Sequence, residues 1–294
     1  MRRPFPSFSF PIILSICLLL TQCVTPANSA DKLAKARQSF LWEAKKGEER
    51  LTLVGTMHIG ITPDDMDPKL WNQLQTADVV IIETDIGGMN PKELHSYMTL
   101  PPSEDLRGIL GSKPFDRLSE IIAKSGSALP EAQLLRMTPL AAGTLLLQVQ
   151  AKADQEIAAG QVSIDQVIFE RAQEMGKTTR TLETNREQLD TLKTVFDKVA
   201  IVKMLEEWDE ETSNYEDMKN AFKTGDSETL DSMLAEIPEE VRAELLDKRN
   251  ANWIKKLPSL QKNHTLIAVG AAHYAGKRGL LKLLRDKGYT IKPL

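Results

Sequence analysis

The pattern of apolar and polar positions along this chain predicts strands near both ends and mostly helices between them. Two β-prone segments, 40–44 and 51–56, flank a charged bend at 45–49 that contains a glycine, and this arrangement predicts a β-hairpin. A short helix is predicted at 68–76, and an unbroken apolar run follows at 79–82. Because every position of that run is apolar, it is typical of a strand buried on both faces of a parallel sheet.

Helical spacing dominates from about residue 91 to residue 160, and no strand-like run interrupts it. We therefore predict a large helical insertion above the sheet at about 91–160. A helix at 164–175 and a strand at 179–182 then form a second helix-and-strand unit. The remaining predicted elements are helices at 196–222, 227–235 and 238–256, a strand at 265–269, a helix at 277–287 and a final strand at 289–292. This alternation predicts an α/β fold.

Two helix starts carry a capping-box pattern, in which Ser or Thr is followed three residues later by Gln or Glu. The pairs are Ser163 with Gln166 and Thr184 with Glu187. Each pattern predicts a helix that begins directly after the Ser or Thr.

The first thirty residues differ in pattern from the rest of the chain. Two arginines precede a short apolar run at 11–20, and small residues follow it. This order is typical of a secretory signal, and the run is too short to span a bilayer. We expect residues 1–30 to be a signal peptide and residues 31–294 to form a single exported domain, periplasmic or secreted.

An alternative export route is lipid anchoring. The residues Leu-Thr-Gln-Cys that end at Cys23 resemble the lipobox of bacterial lipoproteins, in which the cysteine is lipidated. Gln22 departs from the small residue that usually precedes that cysteine. A lipid anchor at Cys23 is the one membrane attachment that we expect as an alternative.

Composition narrows the classes of partner. The chain has 37 basic and 41 acidic residues, a net charge of −4, and no long basic run, which argues against nucleic-acid binding. Both cysteines, Cys17 and Cys23, lie in the predicted leader. The exported domain would therefore lack a disulfide, a cysteine nucleophile and a thiolate metal site, so a metal there must use His, Asp or Glu.

Two of the four histidines follow a glycine by three residues, each at the end of an apolar run: VGTMH ends at His58 and VGAAH ends at His273. Glycine permits a sharp turn, so two neighbouring strands could direct both imidazoles to one point, and Glu83 could join them from a third strand. Two imidazoles and a carboxylate are a usual ligand set for Zn²⁺, Mn²⁺, Co²⁺ or Fe²⁺ with open positions for water, which is hydrolase chemistry. Asp85 would share the face of Glu83 if that strand persists.

Other interpretations of the polar residues stay open. The two glycine–histidine turns can instead be separate loops whose imidazoles cap helices or pair with carboxylates. His95 and His264 lie in polar contexts, and we expect both to be solvated. The segment around Arg278 does not match a phosphate-binding P-loop, because arginine stands where that motif requires Ser or Thr. Arg249 either faces the cleft or pairs with a nearby carboxylate, Glu244 or Asp247.

Five stretches of the chain resemble the TraB/GumN family, relatives of the TIKI metalloproteases. They are GTMHIG, the strand that ends in Glu83, SIDQVIFERAQEMGK leading to TLET, RNANW, and VGAAHYAGKRGLLKLLRDKGYTI. The resemblance spans almost all of residues 31–294, and the paired glycine–histidine turns are its most specific part. Ser163 departs from it, since many relatives have glycine at that position.

The resemblance implies an α/β fold with a mixed central sheet, as in TIKI, erythromycin-esterase-like and ChaN-like proteins, and a metal-dependent hydrolase site. His58 and His273 would be the paired histidines, and Glu83 would serve as a ligand or as the general base. The metal would be Zn²⁺, Mn²⁺ or Co²⁺. The supporting polar residues implied by the resemblance are Asp165, Glu183, Arg249 and Asn250.

Two functions from different classes follow from these observations. One is an exported hydrolase of peptide or amide bonds that acts on a peptide or another small extracytoplasmic substrate. The other is a non-catalytic periplasmic binding protein for a peptide or a haem-like ligand, since more distant relatives with this type of fold are similar to haem-binding lipoproteins.

Overall fold

The structure of the protein is a computed structural model that describes residues 40–58, 60–127, 129–152 and 163–294. The expected signal peptide, with Cys17 and Cys23, lies outside these residues, as does the end of the predicted helical insertion beyond residue 152. Within the described ranges, no helix is both long enough and apolar enough to span a membrane.

A six-stranded mixed sheet forms the centre of the molecule. Its strands are β1 (Leu41–Lys46), β2 (Glu49–Thr56), β3 (Val79–Ile82), β4 (Thr178–Thr181), β5 (His264–Gly270) and β6 (Thr290–Pro293). Their order is β4-β3-β5-β2-β1-β6. The first two strands form the predicted antiparallel hairpin, and β6 pairs antiparallel with β1. The strands β4, β3, β5 and β2 run parallel, so their carboxyl ends share one edge. This sheet confirms the predicted α/β class.

The helices are α1 (Pro68–Thr76), α2 (Pro91–Met98), α3 (Leu106–Leu110), α4 (Ser112–Lys124), α5 (Glu131–Leu134), α6 (Pro139–Lys152), α7 (Ile164–Glu174), α8 (Asn185–Val195), α9 (Lys198–Glu206), α10 (Trp208–Thr224), α11 (Ser227–Glu236), α12 (Glu239–Arg242), α13 (Lys248–Leu260) and α14 (Leu280–Asp286). A π-helical turn, Ala243–Asp247, joins α12 to α13. Helices α2–α6 occupy the described part of the segment that the helical spacing singled out.

Two details of the sequence prediction were wrong. Ser163 precedes α7 but its side chain makes no capping hydrogen bond, and Gln166 Nε2 instead donates to Glu170 Oε1 at 3.1 Å. The single helix predicted at 196–222 is divided at Glu207 into α9 and α10, because the backbone of Glu207, with φ −93° and ψ 6°, departs from helical geometry. The second predicted capping box, between Thr184 and Glu187, is confirmed.

Both faces of the sheet are covered by helices. Val80 and Ile82 of β3 pack in an apolar cluster with residues of α1 and α7, while Val79 and Ile81 pack on the other face with α13 and α14. Burial of each such side chain stabilises the fold by about 1.5–3 kcal/mol. A third cluster lies among α3–α6, α8 and α9. The packed sheet therefore provides a rigid support for side chains at its carboxyl edge.

Candidate active site

Three neighbouring strands end at one edge of the sheet, and each is followed by a residue that the sequence singled out. Glu83 directly follows β3, His58 lies two residues beyond the end of β2, and His273 lies three residues beyond the end of β5. Strand β5 pairs with both β3 and β2. The structure therefore places the two glycine–histidine turns side by side and brings Glu83 to the same edge.

Gly270 marks the point at which these side chains converge. A Cβ atom at this position would lie 3.4 Å from Glu83 Oε1, 3.6 Å from His58 Nε2 and 3.7 Å from His273 Cδ2. The backbone N–H of Gly270 also donates to Glu83 Oε1 at 2.8 Å. The absence of a side chain at residue 270 thus leaves a small space among a carboxylate and two imidazoles.

Gly55, the glycine of the first turn, is required for a different reason. A Cβ atom there would lie 2.8 Å from Phe40 Cβ and 3.2 Å from Ala271 Cα. The first glycine therefore allows close packing of the backbone, whereas Gly270 keeps space open within the site.

His273 is fully buried, and one ring nitrogen is held by Asn250. Nδ2 of Asn250 donates to the carbonyl oxygens of His273 at 3.1 Å and Arg278 at 3.0 Å, so its Oδ1 is left to accept from His273 Nδ1 at 2.7 Å. Nε2 then carries the lone pair. Burial lowers the pKa of His273 to about 3, so the imidazole is neutral near pH 7.

His58 is held by a carboxylate instead of an amide. Its Nδ1 lies 2.8 Å from Oδ1 of Asp165, a buried residue in the first turn of α7. Burial lowers the pKa of His58, but the charge and the hydrogen bond of Asp165 together with the charge of Glu83 outweigh burial, so the net direction is upward. A carboxylate behind a histidine fixes the ring and increases its basicity, as in many metal sites.

Glu83 is buried and ionised. Oε1 accepts from Gly270 N, while Oε2 accepts from Arg249 Nη2 at 2.5 Å and from Gln188 Nε2 at 3.4 Å. Burial alone would raise the pKa of Glu83. The charges of Arg249, His273 and His58 and the hydrogen bond from Gly270 together outweigh burial and lower this pKa to about 2. Glu83 therefore carries its negative charge across the physiological pH range.

Arg249 connects Glu83 to a second buried carboxylate, Glu183. Its Nε and Nη2 donate to Glu183 at 3.1 and 2.6 Å, and Nη2 also donates to Glu83. Its Nη1 donates to the Leu245 carbonyl at 3.0 Å and lies 3.1 Å from His273 Nε2. The guanidinium also lies 4.7 Å from the centre of the Trp253 ring. Burial raises the pKa of Glu183, and Arg249 opposes that rise.

The two proposed surface partners of Arg249 are engaged elsewhere. Glu244 pairs with Lys248, and Asp247 pairs with Arg278 at 3.4 Å. The structure therefore places Arg249 beside Glu83 and His273 at the sheet edge and does not pair it with Glu244 or Asp247.

Asp85 and the remaining histidines lie apart from this cluster. Strand β3 ends at Ile82, and Asp85 instead caps a 3₁₀ turn by accepting from Gly88 N at 3.1 Å. His95 is exposed, as expected. His264 was wrongly expected to be solvated: it is buried at the start of β5, with its nitrogens 3.0 Å from the Thr52 hydroxyl and 3.0 Å from the Thr76 carbonyl.

Sequence reasoning missed two buried polar residues at this edge. Thr56 Oγ1 and Gln188 Oε1 have no hydrogen-bond partner among the described residues. Thr56 pairs in register with Gly270, and Gln188 uses its amide nitrogen on Glu83. The GTMH motif contained a signal for Thr56, whereas Gln188 occupies an ordinary position in α8 and carried none.

The donor types in the cluster fit a divalent metal, although Glu83 and His273 are both engaged by Arg249 in the present arrangement. As the side chains of the described residues stand, no group of three or more His, Cys, Asp or Glu is arranged to hold a metal ion. At His273, the ring nitrogen that would bind a metal, Nε2, lies 3.1 Å from Nη1 of Arg249. The donor types nevertheless suit Zn²⁺, Mn²⁺ or Co²⁺: two ring nitrogens with their opposite nitrogens held in place, one ionised carboxylate, and the space above Gly270.

The fold and this edge define the class: an α/β protein with a candidate active site at the carboxyl ends of its parallel strands. The sequence model of the TraB/PrgY/gumN family matches residues 40–293, and the chain belongs to this family. This confirms the predicted resemblance.

A curated relative of the chain is described as "Metalloprotease TIKI homolog" from Amphimedon queenslandica. The two chains are 22% identical over an alignment of 347 positions, gaps included, and the alignment covers 97% of this chain and 68% of the relative. No solved structure matches the chain at a significant level.

Proposed function

We propose that the protein is a hydrolase of peptide or amide bonds, and that His58, Glu83 and His273 form a site for a divalent metal. The observation that carries this proposal is the convergence of the three side chains around Gly270. The description of the relative as a metalloprotease supports the reaction class. A metal ion bound there polarises a carbonyl group and lowers the pKa of a bound water.

The residues behind the site have defined tasks in this proposal. Asp165 and Asn250 each hold a ring Nδ1, so that Nε2 of His58 and of His273 points inward. Glu83 supplies charge and a ligand rather than acting as the base, because a carboxylate whose pKa is about 2 binds a proton weakly at neutral pH. His58 is the more basic group, and a proton and a metal compete for its Nε2.

We propose that Gln188 and Thr56 bind a polar group of the substrate or a water molecule. Each presents a buried polar atom without a partner among the described residues. Buried polar groups rarely lack a hydrogen-bond partner. These two atoms, beside Glu83 and Gly270, therefore favour a bound polar ligand. We propose a peptide or another small substrate, met outside the cytoplasm after cleavage of a signal peptide or, alternatively, on a lipid anchor at Cys23.

Elemental analysis tests the metal site. The exported protein is exposed equally to Zn²⁺, Mn²⁺ and Co²⁺ beside a His58→Ala/His273→Ala variant and a His95→Ala variant, in which an exposed histidine is removed as the control. We expect close to one metal ion per chain in the wild type and in the control, and its loss in the double variant. Equal metal in all three proteins, or none in any, would overturn the site.

A peptidase screen with the metal so identified tests the reaction. We expect Glu83→Gln to abolish turnover, because it removes the charge and a ligand while keeping the size of the side chain. Retained turnover in this folded variant would contradict the role of Glu83. Metal binding without any turnover in the wild type would favour a non-catalytic binding protein.

A further inference from the structure

Arg249 uses its entire hydrogen-bonding capacity inside the cluster. A guanidinium has five N–H donors, and the five acceptors here are two oxygens of Glu183, Oε2 of Glu83, the carbonyl of Leu245 and Nε2 of His273. Two of these five acceptors, on Glu83 and His273, belong to the proposed metal site. The positively charged Arg249 therefore already binds Glu83 and His273, two of the three proposed ligands of the metal ion.

The contact with His273 removes a metal ligand. A guanidinium is always protonated and cannot accept a hydrogen bond, so at 3.1 Å the His273 Nε2 must be the acceptor. Asn250 independently places the ring hydrogen on Nδ1. The lone pair that would bind a metal is therefore directed at Arg249. A metal ion and Nη1 of Arg249 cannot use this lone pair at the same time.

The remaining contacts of Arg249 allow it to withdraw without leaving the cleft. The hydrogen bonds from Nε and Nη2 to Glu183 and the contact with the Trp253 ring involve neither Glu83 nor Nε2 of His273, although the Trp253 ring also packs 4.4 Å from the His273 ring. Trp253 Nε1 also donates to Glu183 at 3.2 Å, which fixes that carboxylate. Arg249 is the second residue after the π-helical turn Ala243–Asp247, and such turns often occur at functional sites.

We propose that Arg249 is a built-in competitor for the metal. It closes the site by donating from Nη2 to Glu83 and from Nη1 to His273, and the site opens when the metal replaces these two contacts while Nε and Nη2 keep their hydrogen bonds to Glu183. This proposal rests on the proposed metal site and adds to it a regulating residue. In the closed state Arg249 pairs with both buried carboxylates and offsets one of their two negative charges. In the open state it stays on Glu183 while the metal takes over Glu83 and His273.

Calorimetric titration with Zn²⁺, Mn²⁺ and Co²⁺ tests the competition. Arg249→Lys keeps the charge but cannot form the fork, and Arg249→Met/Glu183→Gln removes the competing cation without leaving Glu183 charged and unpaired. We expect both variants to bind metal more tightly than the wild type, by about tenfold or more, since a hydrogen bond to a charged group is lost on opening. Arg186→Lys, an exposed arginine paired with Glu93, is the matched control with unchanged affinity.

Folding of each variant is checked by circular dichroism, and the wild type gives a second measurement that needs no variant. Its guanidinium ¹⁵N resonances, with those of Arg249 identified from the Arg249→Lys spectrum, should shift as metal is added. Metal binding with unchanged Arg249 resonances and equal affinities would overturn the competition while leaving the metal site intact. Absence of binding even in the two Arg249 variants would overturn the metal site itself.

Discussion

The two glycine–histidine turns have the same spacing and follow neighbouring strands, yet they hold their imidazoles in opposite electrostatic settings. His58 is backed by the carboxylate of Asp165, and its pKa is raised. His273 is backed by the amide of Asn250, and burial lowers its pKa to about 3. The comparison teaches that sequence spacing determines where an imidazole lies, while the partner of its second nitrogen determines its charge.

The largest effect on stability is expected from removing the amide of Asn250, which holds the turn that carries His273. Asn250→Leu would leave His273 Nδ1 and the carbonyl oxygens of His273 and Arg278 without their partner. Because each unsatisfied buried group costs about 1–3 kcal/mol, we expect the free energy of unfolding to fall by about 3 kcal/mol or more. Urea unfolding measures this loss. A change below about 1 kcal/mol would mean that this network does not hold the turn.

The two histidines should change the free energy of unfolding in opposite directions as the pH rises. His273 binds a proton below 6.5 when unfolded but only near 3 when folded, so its burial makes the protein lose stability as the pH falls below 6.5. Glu83, whose pKa falls from 4.5 to about 2, adds to the loss below 4.5. His58, whose folded pKa is raised, contributes stability that is present below 6.5 and is lost as the pH rises through that folded pKa.

The measurement is urea unfolding across pH with a chelator present, so that no metal holds the ligands. We expect a stability maximum near pH 6.5, with an acid slope of up to about 1.4 kcal/mol per pH unit for one group. His273→Gln should flatten the profile between pH 4.5 and 6.5. An unchanged acid slope in that variant would assign the loss to other groups.

The two glycines offer a smaller and more selective comparison. Gly55→Ala places a methyl group 2.8 Å from Phe40 Cβ and should destabilise the protein by about 1–3 kcal/mol, as overpacking does. The backbone of Gly270, with φ −49° and ψ 135°, accepts alanine, and the new methyl group would meet its neighbours at ordinary contact distances.

We therefore expect Gly270→Ala to change the free energy of unfolding by less than about 1 kcal/mol, while filling the space between the proposed ligands. Metal binding by this variant should be lost. Urea unfolding and metal titration of both glycine variants separate the two effects. Full metal binding by a folded Gly270→Ala protein would show that the space above residue 270 is not part of the site.

Local pattern predicted the edge of the sheet but not the partners of the groups on it. The apolar run of β3 and the two glycine turns indicated His58, Glu83 and His273, because backbone periodicity and turn chemistry are local properties. The sequence did not decide whether Arg249 faces the cleft or pairs with Glu244 or Asp247. Which acidic residue it contacts depends on how α13 packs on the sheet, and that packing is not a local property.

The errors have the same origin. His264 lies in a polar local context, QKNHT, but it begins a strand that is buried along its whole length, and its burial follows from that tertiary position. The expectation for Asp85 depended on the length of β3, which ends three residues earlier, at Ile82. Gln188 gave no signal, since a buried amide in an amphipathic helix differs from a solvated one only through its neighbours.

The smallest change that tests the comparison is Asp165→Asn, which gives the first turn an amide like that of the second. Asparagine keeps an oxygen that can accept from His58 Nδ1, so we expect a loss of only about 1 kcal/mol in the free energy of unfolding. The pKa of His58 should fall, because the attraction of the Asp165 charge is lost while the burial that lowers it remains. Proton NMR titration of the imidazoles measures this, with exposed His95 as the internal control, and the loss of stability at alkaline pH should shrink in the same variant. A pKa of His58 that does not move would assign its elevation to Glu83, and the two turns would then differ by their distance from that shared carboxylate rather than by the partner behind each ring.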